Sequence, residues 1–209
     1  DYGIGPGKSY PDSADKLTFS YLRAYEKAYV NIGPRLSAGG GLNINFRNKI
    51  KDFNESSTYN TAHQTYSVEN GFDPLRYSAN GIIAAIQYNT RENPVQSYGG
   101  IYADLDLQFN QKWLGSTKNS VQVVYDFRKY IGLSKRNPAT VLAFWQRSSF
   151  KFGGDLPYLA LPNTGDDAYA RSGRGYTVGR FKGPSYFYLE SEYRLPITRN
   201  KLFSGVCFV

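Results

Sequence analysis

Methionine is absent from all 209 residues, and cysteine and histidine occur once each. No apolar run approaches the roughly 20 residues needed for a membrane-crossing helix, which excludes a helical membrane protein. A chain with no initial Met and no charged start ahead of an apolar stretch reads as a processed protein or an excised piece. Cys207 has no partner for an internal disulfide and reads as a small packed residue. His63, in the polar segment TAHQTY, supports neither a His-rich metal site nor a Ser-His-Asp triad. Carboxylates are plentiful, but no pair stands out as general acid and base, so the expectation is a protein that is not an enzyme and carries no cofactor. Acidic residues are the scarcer sign, 17 against 25 Lys and Arg. The cations are scattered along the chain instead of grouped, which favours a solvated surface over a nucleic-acid partner.

What the chain does have is aromatic residues and glycine: 19 Tyr, 13 Phe and 21 Gly, with a mean hydropathy of −0.50. Strands favour the first and tight turns the second, so the composition is that of an all-β protein. In IYADLDLQFN, Ile101, Ala103, Leu105, Leu107 and Phe109 alternate with Tyr102, Asp104, Asp106, Gln108 and Asn110, giving one apolar and one polar face. LSAGGGLNINFRN repeats the pattern from Leu36. Further strands are expected over Leu17 to Val30, Gly81 to Arg91, Ser120 to Ile131, Thr140 to Phe152, Ser185 to Leu195 and Leu202 to Val209, about eight in all.

The links between them alternate. Compact turns fall at 31–35, 91–99, 133–138 and 196–201, with longer excursions at 49–80, 111–119 and 153–184. An up-and-down barrel with one tight rim and one looped rim has this rhythm, and the expected domain is a single one spanning 1–209. Which face looks inward is left open by alternation alone. A soluble barrel or sandwich buries Val121, Val123, Tyr125 and Phe127 and exposes Asp126 and Arg128, and an outer-membrane barrel does the reverse. Aromatics near strand ends, Tyr88, Trp113, Tyr130 and Tyr193, resemble an interfacial girdle.

Three glycine-rich segments invite phosphate-binding readings. Gly7-Lys8-Ser9 resembles the end of a P-loop, but the required first glycine falls at Tyr2. Gly39-Gly40-Gly41 lies inside an alternating strand, where glycine permits a bend or a close backbone approach. RSGRGYTVGRFKG, residues 171–183, has no βαβ unit around it and is not a dinucleotide fingerprint.

Four segments in order carry a resemblance instead: YNTRENPVQSYGG (Tyr88 to Gly100), GGDLPYLALP (Gly153 to Pro162), Arg174-Gly175-Tyr176 followed by Arg180, Phe181 and Gly183, and ESEYRLP (Glu190 to Pro196). Together they resemble the BamA/TamA-type outer-membrane barrel superfamily, the bacterial surface antigen family. The resemblance implies a transmembrane antiparallel β-barrel of which this chain is a fragment, about eight strands of about sixteen, with no POTRA domain inside it. It implies that the loop 153–184 folds into the lumen, where Arg174 meets Glu192 and Tyr176 packs beside the pair. Glu190, Arg180, Phe181 and Gly183 stand second in the same motif. The implied activity is insertion of β-barrel proteins into, or passage of polypeptides across, the outer membrane of a Gram-negative bacterium. Implied partners are outer-membrane lipid and lipopolysaccharide, client polypeptides, and other subunits of an assembly machine. Gly173 departs from the family, which carries Val, Leu or Ile there. A passive porin, an accessory barrel subunit and a soluble β-sandwich binding module are the competing readings.

Overall fold

The computed structural model describes residues 1–5, 14–54, 60–167, 169–198 and 203–209; Gly7-Lys8-Ser9 lies outside them. Its strands are β1 (Leu17–Asn31), β2 (Leu36–Asp52), β3 (Tyr77–Ser78), β4 (Gly81–Asn89), β5 (Gly100–Asn110), β6 (Ser120–Gly132), β7 (Val141–Gly154), β8 (Ser185–Pro196) and β9 (Ser204–Phe208). An α-helix, α1 (Ala62–Glu69), interrupts them. All pairings are antiparallel in the order β1-β2-β4-β5-β6-β7-β8-β9, with the short β3 added to β2. Among the described residues the sheet is a single open one, and no second sheet covers either face as a sandwich would require.

Sidedness follows from burial. On β5, Asp104, Asp106, Gln108 and Asn110 are buried, whereas Leu105 is 36 % exposed. On β2, Asn43, Asn45 and Arg47 are buried and Leu42 and Ile44 are exposed. A soluble sheet does the opposite; polar groups inside and apolar side chains outside are the arrangement of a strand wall between an aqueous lumen and hydrocarbon. Two expectations are corrected by it. Tyr130 shares the inner face with Asp126 and Arg128 and lies under the Arg194 guanidinium at 5.5 Å, so it is not a girdle residue. Cys207 is exposed, on the outer face opposite Tyr193, because β9 alternates in phase with β8.

The inner wall is curved by chemistry that spans several strands. Gly39 and Gly41 of β2 pair with Tyr29 and Lys27 of β1. A Cβ at Gly39 would stand 2.7 Å from the Ala28 carbonyl and the Tyr29 ring, and one at Gly41 would collide with the Glu26 carbonyl. With the space left empty, β1 side chains lie across β2 and β4 to reach β5. Lys27 Nζ is 2.8 Å from Asp104 Oδ2 and 2.8 Å from Asp106 Oδ2. The hydroxyls of Tyr29 and Tyr25 donate to Asp104 at 2.8 Å and Asp106 at 3.1 Å. Strands lie roughly 4.8 Å apart, so bridging three spacings with these side chains requires the sheet to curl inward.

The packed apolar clusters sit at the looped rim, where strand ends meet the excursions. A bulge in the β1–β2 register, beside Lys49 with φ 54°, shifts the phase of β2 so that Ile50 turns inward. Ile50 packs with Phe72 and Tyr77, and Leu156, Tyr158 and Leu161 form an adjoining cluster. The helix α1, capped by the Thr61 hydroxyl, ties both: Tyr66 donates to the Leu156 carbonyl at 3.0 Å, and His63 contacts Tyr77 at 3.2 Å. Lys118 of the 111–119 link reaches the Asn70 carbonyl and Asp155. Three excursions thus fold into one cap.

Candidate functional site

The loop between β7 and β8 is a folded hairpin whose neck is Thr164. The Thr164 N–H donates to the Phe181 carbonyl at 2.9 Å, its hydroxyl accepts from the Phe181 N–H at 3.1 Å, and its carbonyl accepts from the Gly179 N–H at 2.7 Å. Asn163 bridges Lys182, and the Gly183 N–H donates to the Pro162 carbonyl at 3.0 Å. Inside the hairpin the Asp167 carboxylate accepts from the N–H groups of Ser172 at 2.7 Å, Arg171 at 2.9 Å and Tyr169 at 3.2 Å. Burial works against that charge, but the amides outweigh it and hold the Asp167 carboxyl below the ordinary aspartate range. Gly173 is left-handed at φ +83°, and a Cβ there would collide with Thr164 Cγ2. The departure from Val, Leu or Ile at this position therefore fits the close approach of tip and neck.

Arg174 stands at the tip. Its Nη2 is 3.1 Å from Glu190 Oε1 and 3.6 Å from Glu192 Oε2, so the nearer partner is Glu190, not the Glu192 expected from the motif. Glu190 is 3 % exposed, and its other oxygen accepts from the Tyr188 hydroxyl at 2.5 Å. Glu192 is held within its own strand by Arg194 Nε at 2.7 Å, which draws it away from the loop. The Arg174 guanidinium lies 4.9 Å from the Phe208 ring, close enough for a cation–π contact.

Tyr176 lines the same small hollow as Arg174, Tyr188 and Phe208. Its ring meets Phe181 edge-on at 5.0 Å, and its hydroxyl makes no hydrogen bond among the described residues. The flanking roles belong to Tyr188 and Phe208, which sequence reasoning missed. Tyr188 could have been found from its position two residues before Glu190 on the same strand face; Phe208 needs the β8–β9 register that sets it opposite Glu192. Arg180 is likewise outside the ion pair: it lies over Tyr2 at 4.3 Å and Phe181 at 5.3 Å, tying the return limb to residues 1–5. There Lys182 pairs with Asp1 at 3.3 Å, and the Tyr158 hydroxyl donates to Asp1 at 2.5 Å.

Chemically, the tip offers a guanidinium to a buried acidic pocket of the polar wall and so can fix the loop against it. Among the described residues, no group of three or more His, Cys, Asp or Glu is arranged to hold a metal.

Residues 9–209 match the family model described as the Omp85 superfamily domain. Among solved structures, the chain is similar to BamA from Haemophilus ducreyi lacking POTRA domains 1–3, with a TM-score of 0.66 at 16 % identity. The likeness covers 94 % of this chain and 42 % of that one, so the chain spans less than half the length of the protein it resembles. No curated protein matches.

Proposed function

Given that the chain belongs to the Omp85 superfamily, we propose that it is part of an outer-membrane barrel of a Gram-negative bacterium that assembles or translocates polypeptides and is not an enzyme. Loop 155–184 folds against the lumen side of the wall and is latched there by Arg174 to Glu190, with Glu192 as second acceptor. The substrates are client outer-membrane or secreted polypeptides. The outer face meets membrane lipid and lipopolysaccharide, and further subunits join the working machine.

One observation carries this reading: a loop cation is seated on a deeply buried glutamate of a wall whose polar side is inside and whose apolar side is outside. An acid buried to that degree needs its counter-charge, and a pre-folded hairpin delivers one at a fixed place.

The test is a double-mutant cycle in the full-length protein. Arg174→Ala and Glu190→Gln should each destabilise the loop's seat by about 1–3 kcal/mol, less than a fully enclosed pair because Arg174 is partly exposed, and each should slow client insertion. Together they should cost little more than either alone. Additive losses would show that the two residues are not coupled. A passive pore would keep its conductance and its folding yield in all three variants.

A further inference from the structure

Beneath the loop, a chamber of about 700 Å³ is bounded by β1, β2, β5, β6, β7 and the loop's root. Two arginines set into its walls, Arg47 and Arg147, lack adequate counter-charges, and a third, Arg23, lines it but is exposed. Arg47 on β2 is 8 % exposed; its Nη1 donates to Asn45 Oδ1 at 2.7 Å and its guanidinium lies over Tyr21 at 4.7 Å, but its Nε has no acceptor. Neither Arg47 nor Arg23 of β1 has a carboxylate within ion-pair distance among the described residues. Arg147 on β7 stands 3.7 Å from Asp126, an acid already taken by Arg128 at 2.8 Å and by Trp145 Nε1 at 3.1 Å, and its Nε is also without an acceptor.

The carboxylates bounding the chamber can be taken in turn. Asp104 and Asp106 are occupied by Lys27 and two tyrosines. Asp126 is occupied by Arg128 and Trp145, and Asp167 by the loop's own amides. Asp166 is left: among the described residues its carboxyl makes no hydrogen bond, while its main-chain carbonyl already accepts from Arg147 Nη2 at 3.5 Å.

We infer that Arg47 and Arg147, with Arg23 beside them, form a carboxylate seat on the inner wall and that Asp166, which lines the same chamber at the root of the loop but stands outside ion-pair distance of all three in this structure, is its occupant when the loop is fully docked. The loop is then fastened at two points of opposite polarity, an acid of its root to wall cations and a cation of its tip to wall acids. A guanidinium buried without an anion is costly, and one carboxylate placed beside Arg47 and Arg147 relieves that cost for both, while Arg23, which is exposed, adds attraction only. Burial pushes the Asp166 carboxyl up to about 6, and Arg147, Arg23 and Arg47 pull it back toward the ionised form, so the seat is charged at neutral pH and discharges on mild acidification.

Hydrogen exchange on the full-length protein in lipid, without client, tests the seat independently of any insertion activity. At pH 7.5, Asp166→Asn should raise exchange of the neck amides of Gly165 and Gly179 roughly tenfold, the scale of one lost charge-assisted interaction. Asp166→Glu should restore protection, and Arg147→Gln added to Asp166→Asn should change little further. The Asp166→Asn effect should persist in an Arg174→Ala background, because the two fastenings are separate. Unchanged exchange in Asp166→Asn, or full additivity with Arg147→Gln, would overturn the assignment. So would saturable binding of inorganic phosphate to the chamber of the unmodified protein, since the arginines would then be open to an external anion.

Discussion

At the scale of single residues, the loop tip depends on what is missing at Gly173. The left-handed φ and the Thr164 methyl together exclude a side chain, so Gly173→Val should cost about 2–4 kcal/mol of local stability, through backbone strain and overpacking. Limited proteolysis of the full-length protein checks it: cleavage within 165–180 should appear in the variant and be absent in the parent. The motif around Arg174 was legible in the sequence, since Arg-Gly-Tyr stands among loop residues and two glutamates sit on one strand face. The choice between Glu190 and Glu192 was not legible. It is decided by Arg194, which neutralises Glu192 from within β8, and by Tyr188, which supports Glu190.

At the scale of elements, the cap over the looped rim is the least expected part. The strands were readable because each has two chemically unequal faces. The segment TAHQTYSVE has no such asymmetry as a helix, and it is ordered by packing on Tyr77 and Tyr158, partners far away in the chain. The bulge beside Lys49, which turns Ile50 into the core, likewise leaves no mark in local composition. The cap carries a pH signature. Burial lowers the His63 pKa from 6.5 to about 4, with nearby Asp52 opposing and Lys182 reinforcing the shift. An unfolded cap would bind a proton near pH 6.5, whereas the folded one binds it only near pH 4. Cap stability is therefore complete above about pH 6.5 and falls as pH drops toward 4, by roughly 3 kcal/mol in all. Hydrogen exchange of the α1 amides between pH 7 and 5 should show this loss of protection, and His63→Gln should flatten the dependence.

At the scale of the whole molecule, the architecture follows from a wall that is wet on one side and greasy on the other. Alternation in the sequence established that there were two faces. Only the burial of Asp104 and Asp106 beside exposed Leu105 shows which is inside. The curl of the wall was out of reach of sequence reasoning, because Lys27 meets Asp104 and Asp106 across 77 and 79 residues of chain and two intervening strands. The Gly39-Gly40-Gly41 run was its visible half, a lane cleared for side chains from the neighbouring strand. Lys27→Met should leave two buried aspartates without a cation and lower barrel stability by about 2–4 kcal/mol. Adding Asp104→Asn and Asp106→Asn should return part of it, as read from the temperature at which the full-length barrel loses its compact migration in detergent gels.

The neck built on Thr164 has one more implication. Because the hairpin is stitched internally, by backbone bonds and by the Asp167 carboxylate, much of its shape is set by its own residues. Losing the grip on Glu190 would then free only the tip, a ready-made hook still tethered at its root, which can catch again without refolding.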